Sequence, residues 1–268
     1  MFQSGLCSIT FRHLPAQEIA VLAGKATIDV IEWGGDIHVP HGNVKVAREV
    51  RRMTLDAGCN PRSYGSYFHV GADAPDAFQP LVDTAVALGA ANIRVWAGKQ
   101  GSRDADAAYR DCVVTASQAI ADMAAQAGLT ISYEFHSNTL TDTSASAVDL
   151  LQRVDRRNVR CYWQPVMESA LDAGAADLRA VLPWLSNIHA YCWLPGGERR
   201  PLEEGEADWV AYLGIAADAP GDRAVLLEYV RNDDPVAFLR DAITLKIWLS
   251  CDLRRPAPTD GAAPTQRT

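Results

Sequence analysis

Four residues whose side chains can bind a divalent cation lie at regular intervals in the second half of the chain. Glu134, Gln164, His189 and Glu228 are separated by 30, 25 and 39 residues, and each ends an apolar segment. Each interval has about the length of one β-strand plus one helix. In a closed parallel barrel the carboxyl ends of the strands lie at one face, so the four side chains would meet there. Oxygen and nitrogen donors suit Mg²⁺, Mn²⁺ or Zn²⁺ better than a metal that prefers sulfur.

The segments that must position these residues alternate between strand-like and helix-like patterns, which predicts a parallel α/β fold. The strand segments are apolar throughout, as in parallel sheets that are buried on both faces. Gly89 and Gly128 end helical patterns, and Asp234 followed by Pro235 has the residue types of a helix start. Eight strands are predicted, at residues 5–10, 27–33, 62–68, 92–96, 130–135, 159–163, 188–193 and 224–229.

Length, composition and charge limit the classes of protein to consider. The chain has 268 residues, and one eight-stranded barrel of about 250 residues uses nearly all of them. We expect one domain over residues 1–253 and a disordered tail, rich in Pro, Ala and Thr, over 254–268. The net charge of −8 argues against nucleic acid and anionic membrane as partners. The six scattered cysteines and the lack of a signal-peptide pattern predict free thiols and a cytoplasmic location.

Together, these segments resemble the xylose isomerase-like TIM barrels, which include sugar and sugar-phosphate isomerases and epimerases; the AP endonucleases of the endonuclease IV type share the barrel. The resemblance covers residues 6–249 approximately. It is carried by YEFH at 133–136, YWQP at 162–165, His189, RRPLEEGEADW at 199–209 and LLEYV at 226–230. It implies a single (β/α)8 TIM barrel with one divalent metal ion. Mn²⁺ is the first candidate for this ion, and Mg²⁺, Co²⁺, Zn²⁺ and Fe²⁺ are alternatives. The implied metal ligands are Glu134, Gln164, His189 and Glu228.

The resemblance also implies a reaction. Isomerising or epimerising a sugar removes a proton from carbon next to a carbonyl, which leaves an unstable enediolate. A divalent cation stabilises that charge, and a carboxylate beside it takes the proton. By resemblance, Glu134 and Glu228 are the catalytic carboxylates and act on opposite faces of a small-molecule sugar. A metal-dependent isomerase or epimerase is therefore the first expectation, and a homodimer is compatible with it.

Two residues depart from the family pattern and keep other interpretations open. Gln164 stands where the family usually has Asp, and Met167 stands where a His often follows. With two carboxylates around the cation instead of three, metal binding should be looser and the metal more electrophilic. A lyase or decarboxylase acting on a keto-sugar or sugar acid in the same site is the second interpretation. An AP endonuclease and a non-catalytic sugar-binding protein are the remote ones.

Aromatic and basic residues near the predicted strand ends are candidate substrate contacts. Tryptophan can stack on the C–H face of a sugar, although burial in the core is the common alternative. Histidines in the rim loops could bind hydroxyl groups. Arg200 resembles a family arginine in the loop after strand 7, and its neighbour Arg199 leaves that register uncertain by one residue. The predicted substrate contacts are Trp33, His38, His69, Trp96, His136, Trp163, Trp193 and Arg200.

Overall fold

A computed structural model describes residues 1–166 and 171–251 of the chain. Its eight parallel strands close into a barrel in chain order, with the last strand paired to the first. The predicted eight-stranded (β/α)8 fold is therefore confirmed. The strands are β1 (Phe2–Cys7), β2 (Val30–Gly34), β3 (Asn60–His69), β4 (Asn92–Trp96), β5 (Thr130–Glu134), β6 (Val159–Trp163), β7 (Leu185–Ala190) and β8 (Arg223–Leu227).

A helix follows each strand, and local signals fix several of the helix ends. Asp106 accepts a hydrogen bond from the amide of Tyr109, and Asp234 accepts one from the amide of Val236, so both act as N-caps. Gly89 ends α3 in the left-handed region at φ +79°, which glycine adopts readily. The helices are α1 (Ala16–Ala26), α2 (Val44–Asp56), α3 (Gln79–Leu88), α4 (Ala107–Gln126), α5 (Ser144–Val154), α6 (Leu171–Val181), α7 (Glu206–Ala216) and α8 (Pro235–Ser250).

Alternation along each strand separates two regions of the core. Residues of one parity point outward and pack against the helices, whereas residues of the other parity fill the barrel. Val30, Tyr162, Ala224 and Leu226 form a separate apolar cluster within the barrel. Two residues further along these strands come Glu32, Gln164 and Glu228. The upper layer of the barrel interior is therefore polar and charged, directly above an apolar layer.

Some predicted strand limits differ from the structure. β1 ends at Cys7 because residues Ser8–Phe11 turn into a short 3₁₀ helix. β7 begins and ends three residues earlier than predicted, since the apolar run past Ala190 belongs to the loop above the barrel. The predicted tail at 254–268 and Met167 lie outside the described residues. None of the helices in the described part of the chain is long and apolar enough to cross a bilayer.

Candidate active site

The inward-facing residues at the carboxyl ends of the strands form one buried cluster. Glu32 and His189 are fully buried, Glu134 is 3% exposed and Glu228 is 5% exposed. Glu134 is the last residue of β5, His189 lies within β7, and Glu228 directly follows β8. Titratable groups this deeply buried are held only where other charges compensate them.

Three oxygen atoms surround Nδ1 of His189. Gln164 Oε1 lies at 3.0 Å, Glu134 Oε1 at 3.4 Å and Glu228 Oε2 at 3.4 Å. Ligand atoms bound about 2.1 Å from a metal ion lie about 3.0 to 3.4 Å from their neighbours in the coordination shell. The structure thus brings one oxygen of each of the other three predicted metal ligands to within 3.4 Å of Nδ1 of His189. When Nδ1 carries a proton, the contact to Gln164 serves as a hydrogen bond.

The other ring nitrogen of His189 faces a different set of groups. Nε2 lies 3.6 Å from Glu32 Oε1 and has no hydrogen-bond partner among the described residues. Cys7 is close to this side, and Cys7, His189 and Glu228 offer donor atoms that all lie within 4.8 Å of one another. Burial raises the pKa of the Cys7 thiol to about 12, so sulfur stays protonated there. The oxygen-rich side at Nδ1 therefore suits a metal ion better than the thiol side does.

Arg94 is a central residue of this cluster and was not predicted as a site residue. It points inward from β4 and is 1% exposed. Its Nε donates to Glu32 Oε1 at 2.8 Å, and its Nη1 donates to Glu134 Oε2. The alternation of β4 was the available signal, because Asn92, Arg94 and Trp96 share the inward face.

The two candidate catalytic carboxylates have unequal surroundings. Glu134 Oε2 accepts hydrogen bonds from Arg94 and from the indole of Trp96. Burial disfavours the charged form of Glu134, but the charge of Arg94 and the contacts with His189 together outweigh it and hold the pKa of Glu134 below its usual range. Burial raises the pKa of Glu228; the charge of His189 opposes this rise and the charge of Glu134 adds to it. None of the described residues donates a hydrogen bond to the Glu228 carboxylate, which is the freer of the two bases.

A cavity of about 400 Å³ opens above the cluster. Of the predicted substrate contacts, Trp96, His136 and Trp193 line this cavity, together with Glu134, Gln164 and Glu228. Tyr67, Tyr191 and Tyr229 complete its aromatic wall and were not predicted. Tyr67 and Tyr229 have positive φ angles of 57° and 54°, an uncommon conformation for tyrosine that turns both side chains towards the opening.

Two predicted tryptophan contacts lie elsewhere, and strand alternation explains why. Trp33 follows the inward-facing Glu32 and therefore points outward, where its indole donates to Thr54 Oγ1 of α2 at 3.1 Å. Trp163 precedes the inward-facing Gln164 and packs against Tyr212 of α7, with ring centroids 5.0 Å apart. Both are fully buried between barrel and helices. The geometry corrects the prediction: these two residues are core residues.

Two of the histidines predicted as substrate contacts, His38 and His69, do not line the cavity. His38 is buried, and its Nδ1 lies 3.0 Å from the hydroxyl of Ser8. Burial lowers the pKa of His38, which favours a neutral ring that orders the loop. His69 packs edge-on against Trp96, with ring centroids 4.7 Å apart, and so supports the cavity wall from behind. Neither position gives the direct substrate contact that was predicted.

In the loop after β7, the arginine next to the cavity is one residue earlier than the predicted one. Arg200 is bound to Glu204 at 2.9 Å and to Glu198 at 3.0 Å, within its own loop. Arg199 instead lies over the rings of Tyr229 and Trp193, at 4.7 and 5.7 Å from their centroids. Arg199, not the predicted Arg200, is therefore next to the cavity wall.

A family model described as xylose isomerase-like TIM barrel matches residues 26–246 of the chain. The chain belongs to this family. A curated relative, a 3-dehydroshikimate dehydratase from Bacillus anthracis, is 32% identical over 99 residues. The alignment covers 36% of this chain and 35% of that relative, so the match spans about a third of either protein.

Solved structures of xylose isomerase-like barrels show the same fold. The probable 3-DHS dehydratase AsbF from Bacillus anthracis has a TM-score of 0.77 at 20% identity and covers 92% of this chain and 99% of its own. A Mycobacterium smegmatis member in complex with magnesium has a TM-score of 0.72 at 16% identity, covering 92% and 96%. A D-psicose 3-epimerase from Clostridium cellulolyticum H10 has a TM-score of 0.66 at 17% identity, covering 92% and 98%. The family therefore includes both lyases and epimerases.

Proposed function

We propose that this protein is a divalent-metal-dependent enzyme that removes a proton from carbon next to a carbonyl and then eliminates water from the same substrate. The observation that carries the proposal is the inequality of the two carboxylates. Glu134 is fixed by Arg94 and Trp96, whereas Glu228 receives no such hydrogen bond from the described residues. An epimerase needs a base on each face of the substrate, but a dehydratase can work with one.

The metal ion would be held by Glu134, Gln164, His189 and Glu228, because an oxygen of each of the other three lies within 3.4 Å of Nδ1 of His189. When bound, a divalent cation supplies Lewis-acid stabilisation of the negative charge that develops on the substrate oxygen. Mg²⁺ or Mn²⁺ suits this donor set of oxygen and imidazole nitrogen. The magnesium complex of the Mycobacterium smegmatis family member supports this proposal.

The protein's own groups account for the proton transfers. Glu228 takes the proton, and the electrons of the broken C–H bond form the double bond of an enolate. The enolate then re-forms the carbonyl as the C–O bond of the neighbouring hydroxyl carbon breaks. Glu228 returns its proton to the departing oxygen, which leaves as water. Its raised pKa brings Glu228 closer to the range in which a carboxylate can both accept and donate a proton.

The proposal is tested by metal content and by ultraviolet absorbance. Protein purified without chelator should carry about one divalent ion per chain by mass spectrometry, and His189→Ala should lose it. An eliminated product is a conjugated enone and absorbs in the near ultraviolet, so β-hydroxy ketone substrates can be screened directly. Glu228→Gln should lower the elimination rate by about 1,000-fold or more, because Glu228 both takes the proton from carbon and returns it to the departing oxygen. Elimination that persists in Glu228→Gln would refute the assigned base.

A metal-dependent epimerase is the second candidate, as the family resemblance implied. Glu134 and Glu228 both lie 3.4 Å from Nδ1 of His189 and so can reach one substrate from two sides. The two reactions differ in their products. In D₂O an epimerase incorporates deuterium into recovered sugar without generating an absorbing product, whereas a dehydratase generates the enone. Deuterated sugar without absorbance would establish the epimerase.

A further inference from the structure

Glu32 is a buried carboxylate that neither binds the metal ion nor moves a proton in the proposed function. It lies within β2 and is fully buried among the inward-facing groups of the cluster. Burying an ionised carboxylate is unfavourable unless neighbouring groups compensate its charge. Glu32 does not line the cavity, so any effect it has on the reaction must pass through the side chains beside it.

One oxygen atom of Glu32 meets three different side chains. Oε1 accepts a hydrogen bond from Arg94 Nε at 2.8 Å and one from the Cys7 thiol at 3.3 Å. The same oxygen lies 3.6 Å from Nε2 of His189, which is an ion-pair separation and longer than a hydrogen bond. Oε2 of Glu32 and Nε2 of His189 are buried, and neither has a hydrogen-bond partner among the described residues. Glu32 is thus a carboxylate on the Nε2 side of the ring with accepting capacity to spare.

Glu32 reaches a second proposed metal ligand through Arg94. The guanidinium donates through Nε to Glu32 and through Nη1 to Oε2 of Glu134. The backbone of β3 packs closely against this pair, because a Cβ atom at Gly65 would lie 2.8 Å from Arg94 Nη2 and 3.1 Å from Glu32 Oε1. Glu32 therefore lies beside one proposed ligand and is linked to another by one side chain.

The oxygen atoms around Nδ1 of His189 make a partner at Nε2 necessary. Gln164 Oε1, Glu134 Oε1 and Glu228 Oε2 lie within 3.4 Å of Nδ1, and each can accept a proton donor. A neutral imidazole carries one proton, and a proton on Nδ1 would block that nitrogen as a metal ligand. A group on the opposite side of the ring must therefore favour the proton on Nε2.

We infer that Glu32 is the positioning residue of the metal site and keeps the proton of a neutral His189 on Nε2, so that Nδ1 offers its lone pair to the ion. This inference rests on the proposed function, because it assigns a partner to one of the proposed metal ligands. A carboxylate that faces the second nitrogen of a ligating histidine fixes the tautomer and the orientation of the ring. The link through Arg94 holds Glu134 in place at the same time.

Magnesium affinity, measured by isothermal titration calorimetry, gives the first test. Glu32→Gln keeps the shape of the side chain and removes its charge, and it should lower the Mg²⁺ affinity by about 10- to 100-fold. Loss of charge alone would also weaken binding, so a second variant separates charge from position. Glu32→Asp keeps the charge but withdraws the carboxylate from Nε2, and its affinity should fall by about fivefold or more.

Two control variants locate the effect. Asp241→Asn removes a buried carboxylate of α8 outside the cluster and should leave the Mg²⁺ affinity unchanged. Cys7→Ala removes the thiol bound to Glu32 but keeps the carboxylate, and its affinity should stay within about threefold of wild type. Circular dichroism establishes that each variant is folded. If Glu32→Gln does not fold, the measurements on Glu32→Asp decide.

Proton NMR of the Mg²⁺-saturated protein reports the contact itself. A proton that is shared with a carboxylate resonates downfield, so the Nε2 proton of His189 should shift upfield in Glu32→Gln. The spectrum of His189→Ala identifies this resonance in wild type. A role of Glu32 that is limited to balancing the charge of Arg94 would leave the resonance unchanged.

The outcomes distinguish this inference from the proposed function. If wild type binds no Mg²⁺, the proposed function fails and the inference fails with it. If wild type binds Mg²⁺ and Glu32→Gln binds it equally well, only the inference is wrong. Full affinity in Glu32→Asp, or an equal loss in Cys7→Ala, would also overturn it, because charge or the thiol would then explain the effect. Lower affinity in both Glu32 variants with the upfield shift supports the inference, even where no elimination is found.

Discussion

At the scale of single residues, His189 is the centre of the site because its two nitrogens have different neighbours. Nδ1 faces the oxygens of Gln164, Glu134 and Glu228, whereas Nε2 faces Glu32, to which the Cys7 thiol is hydrogen-bonded. A ring held in this way can bind a metal ion through one nitrogen while the other keeps a carboxylate nearby. Such outer partners orient a histidine ligand and increase its basicity.

Proton and metal ion compete for Nδ1 of His189, which predicts a pH dependence. Burial lowers the pKa of His189, but the charge of Glu228 and the contacts with Cys7, Glu134 and Glu32 together raise it more, and the net pKa lies well above its ordinary value. Because a histidine ligand must be neutral, Mg²⁺ affinity should increase about tenfold per pH unit below this pKa. Calorimetric titration between pH 6 and 8 measures this slope. A constant affinity over that range would contradict the competition.

The pairing of Arg94 predicts a large effect on stability. Arg94→Met leaves the buried carboxylates of Glu32 and Glu134 without their cation, which should destabilise the fold by about 3–5 kcal/mol. The double variant Arg94→Met with Glu32→Gln removes one uncompensated charge and should recover at least about 1 kcal/mol of this loss. Urea unfolding of the three proteins measures both effects. Equal stability of the single and double variants would show that the unpaired Glu32 carboxylate does not cause the loss of stability.

The site could be predicted in part from residue types, and the missing parts have a common cause. Four ligand-type residues at regular intervals indicated a cluster, and the structure brings their donor atoms together. Trp33 and Trp163 were wrongly predicted as substrate contacts because they lie near strand ends. The alternation of inward and outward positions along each strand shows that both point outward, towards the helices. Glu32 fixes the inward parity of β2, and it would have assigned Trp33 to the core. Tyr67 could not be inferred, since its direction depends on an irregularity of β3.

At the scale of elements, that irregularity positions the cavity wall. The register between β3 and β4 shifts between Gly65 and Phe68, and Tyr67 lies within the shift at φ +57°. A bulge of this kind redirects one side chain without ending the strand. A hydrophobic pattern indicates that a strand exists but carries no signal for the two extra residues that β3 has against β4 here. The predicted limits of β1 and β7 were imprecise for a related reason, because apolar loop residues extended the pattern.

The contact between α1 and α2 gives a prediction with an unusual sign. Gly24 lies within α1, and alanine in its place would normally stabilise the helix by about 1 kcal/mol. Here a Cβ atom would lie 2.7 Å from the carbonyl oxygen of Ala57. Gly24→Ala should therefore destabilise the protein by about 1–3 kcal/mol, as overpacking does. Thermal unfolding of this variant checks the sign, and an increase in Tm would show that the helices can separate freely.

At the scale of the whole molecule, a buried hydrogen bond links α8 to the loop after β7. Asp241 of α8 accepts a hydrogen bond from the amide of Leu202 at 3.0 Å and is 4% exposed. Burial raises the pKa of Asp241 to about 6, above its usual value near 4. The unfolded chain therefore releases this proton at lower pH than the folded chain. Ionisation of Asp241 thus reduces stability as the pH rises from about 4 to 6, and the reduction persists above 6.

Asp241→Asn should remove this pH dependence, because an amide oxygen can accept the same hydrogen bond without ionising. We expect the variant to be more stable than wild type by about 1–2 kcal/mol at pH 7.5. At pH 4 the two proteins should have equal stability within about 0.5 kcal/mol. Urea unfolding at both pH values makes the comparison. A constant difference between the two proteins at both pH values would mean that ionisation of Asp241 is not its cause.

The overall architecture was the most predictable level, for a physical reason. Strands buried on both faces must be apolar along their length, and the helices of a barrel need one apolar face. The order of strands and helices can therefore be recognised from the pattern of apolar residues in each segment. The closed order of strands follows from consecutive right-handed connections. Side-chain direction at the rim depends on loop geometry, which composition does not specify.

Closure of the barrel has a consequence for protein synthesis. β1 pairs with β8, so residues 2–6 bind partners at 223–227, which are synthesised more than 200 residues later. A ribosome adding about 5–20 residues per second makes the first strand long before its partner. Glu228 follows the closing strand. A nascent chain that has not yet reached β8 therefore lacks both the partner of β1 and the proposed base, and no activity is expected before both have been made.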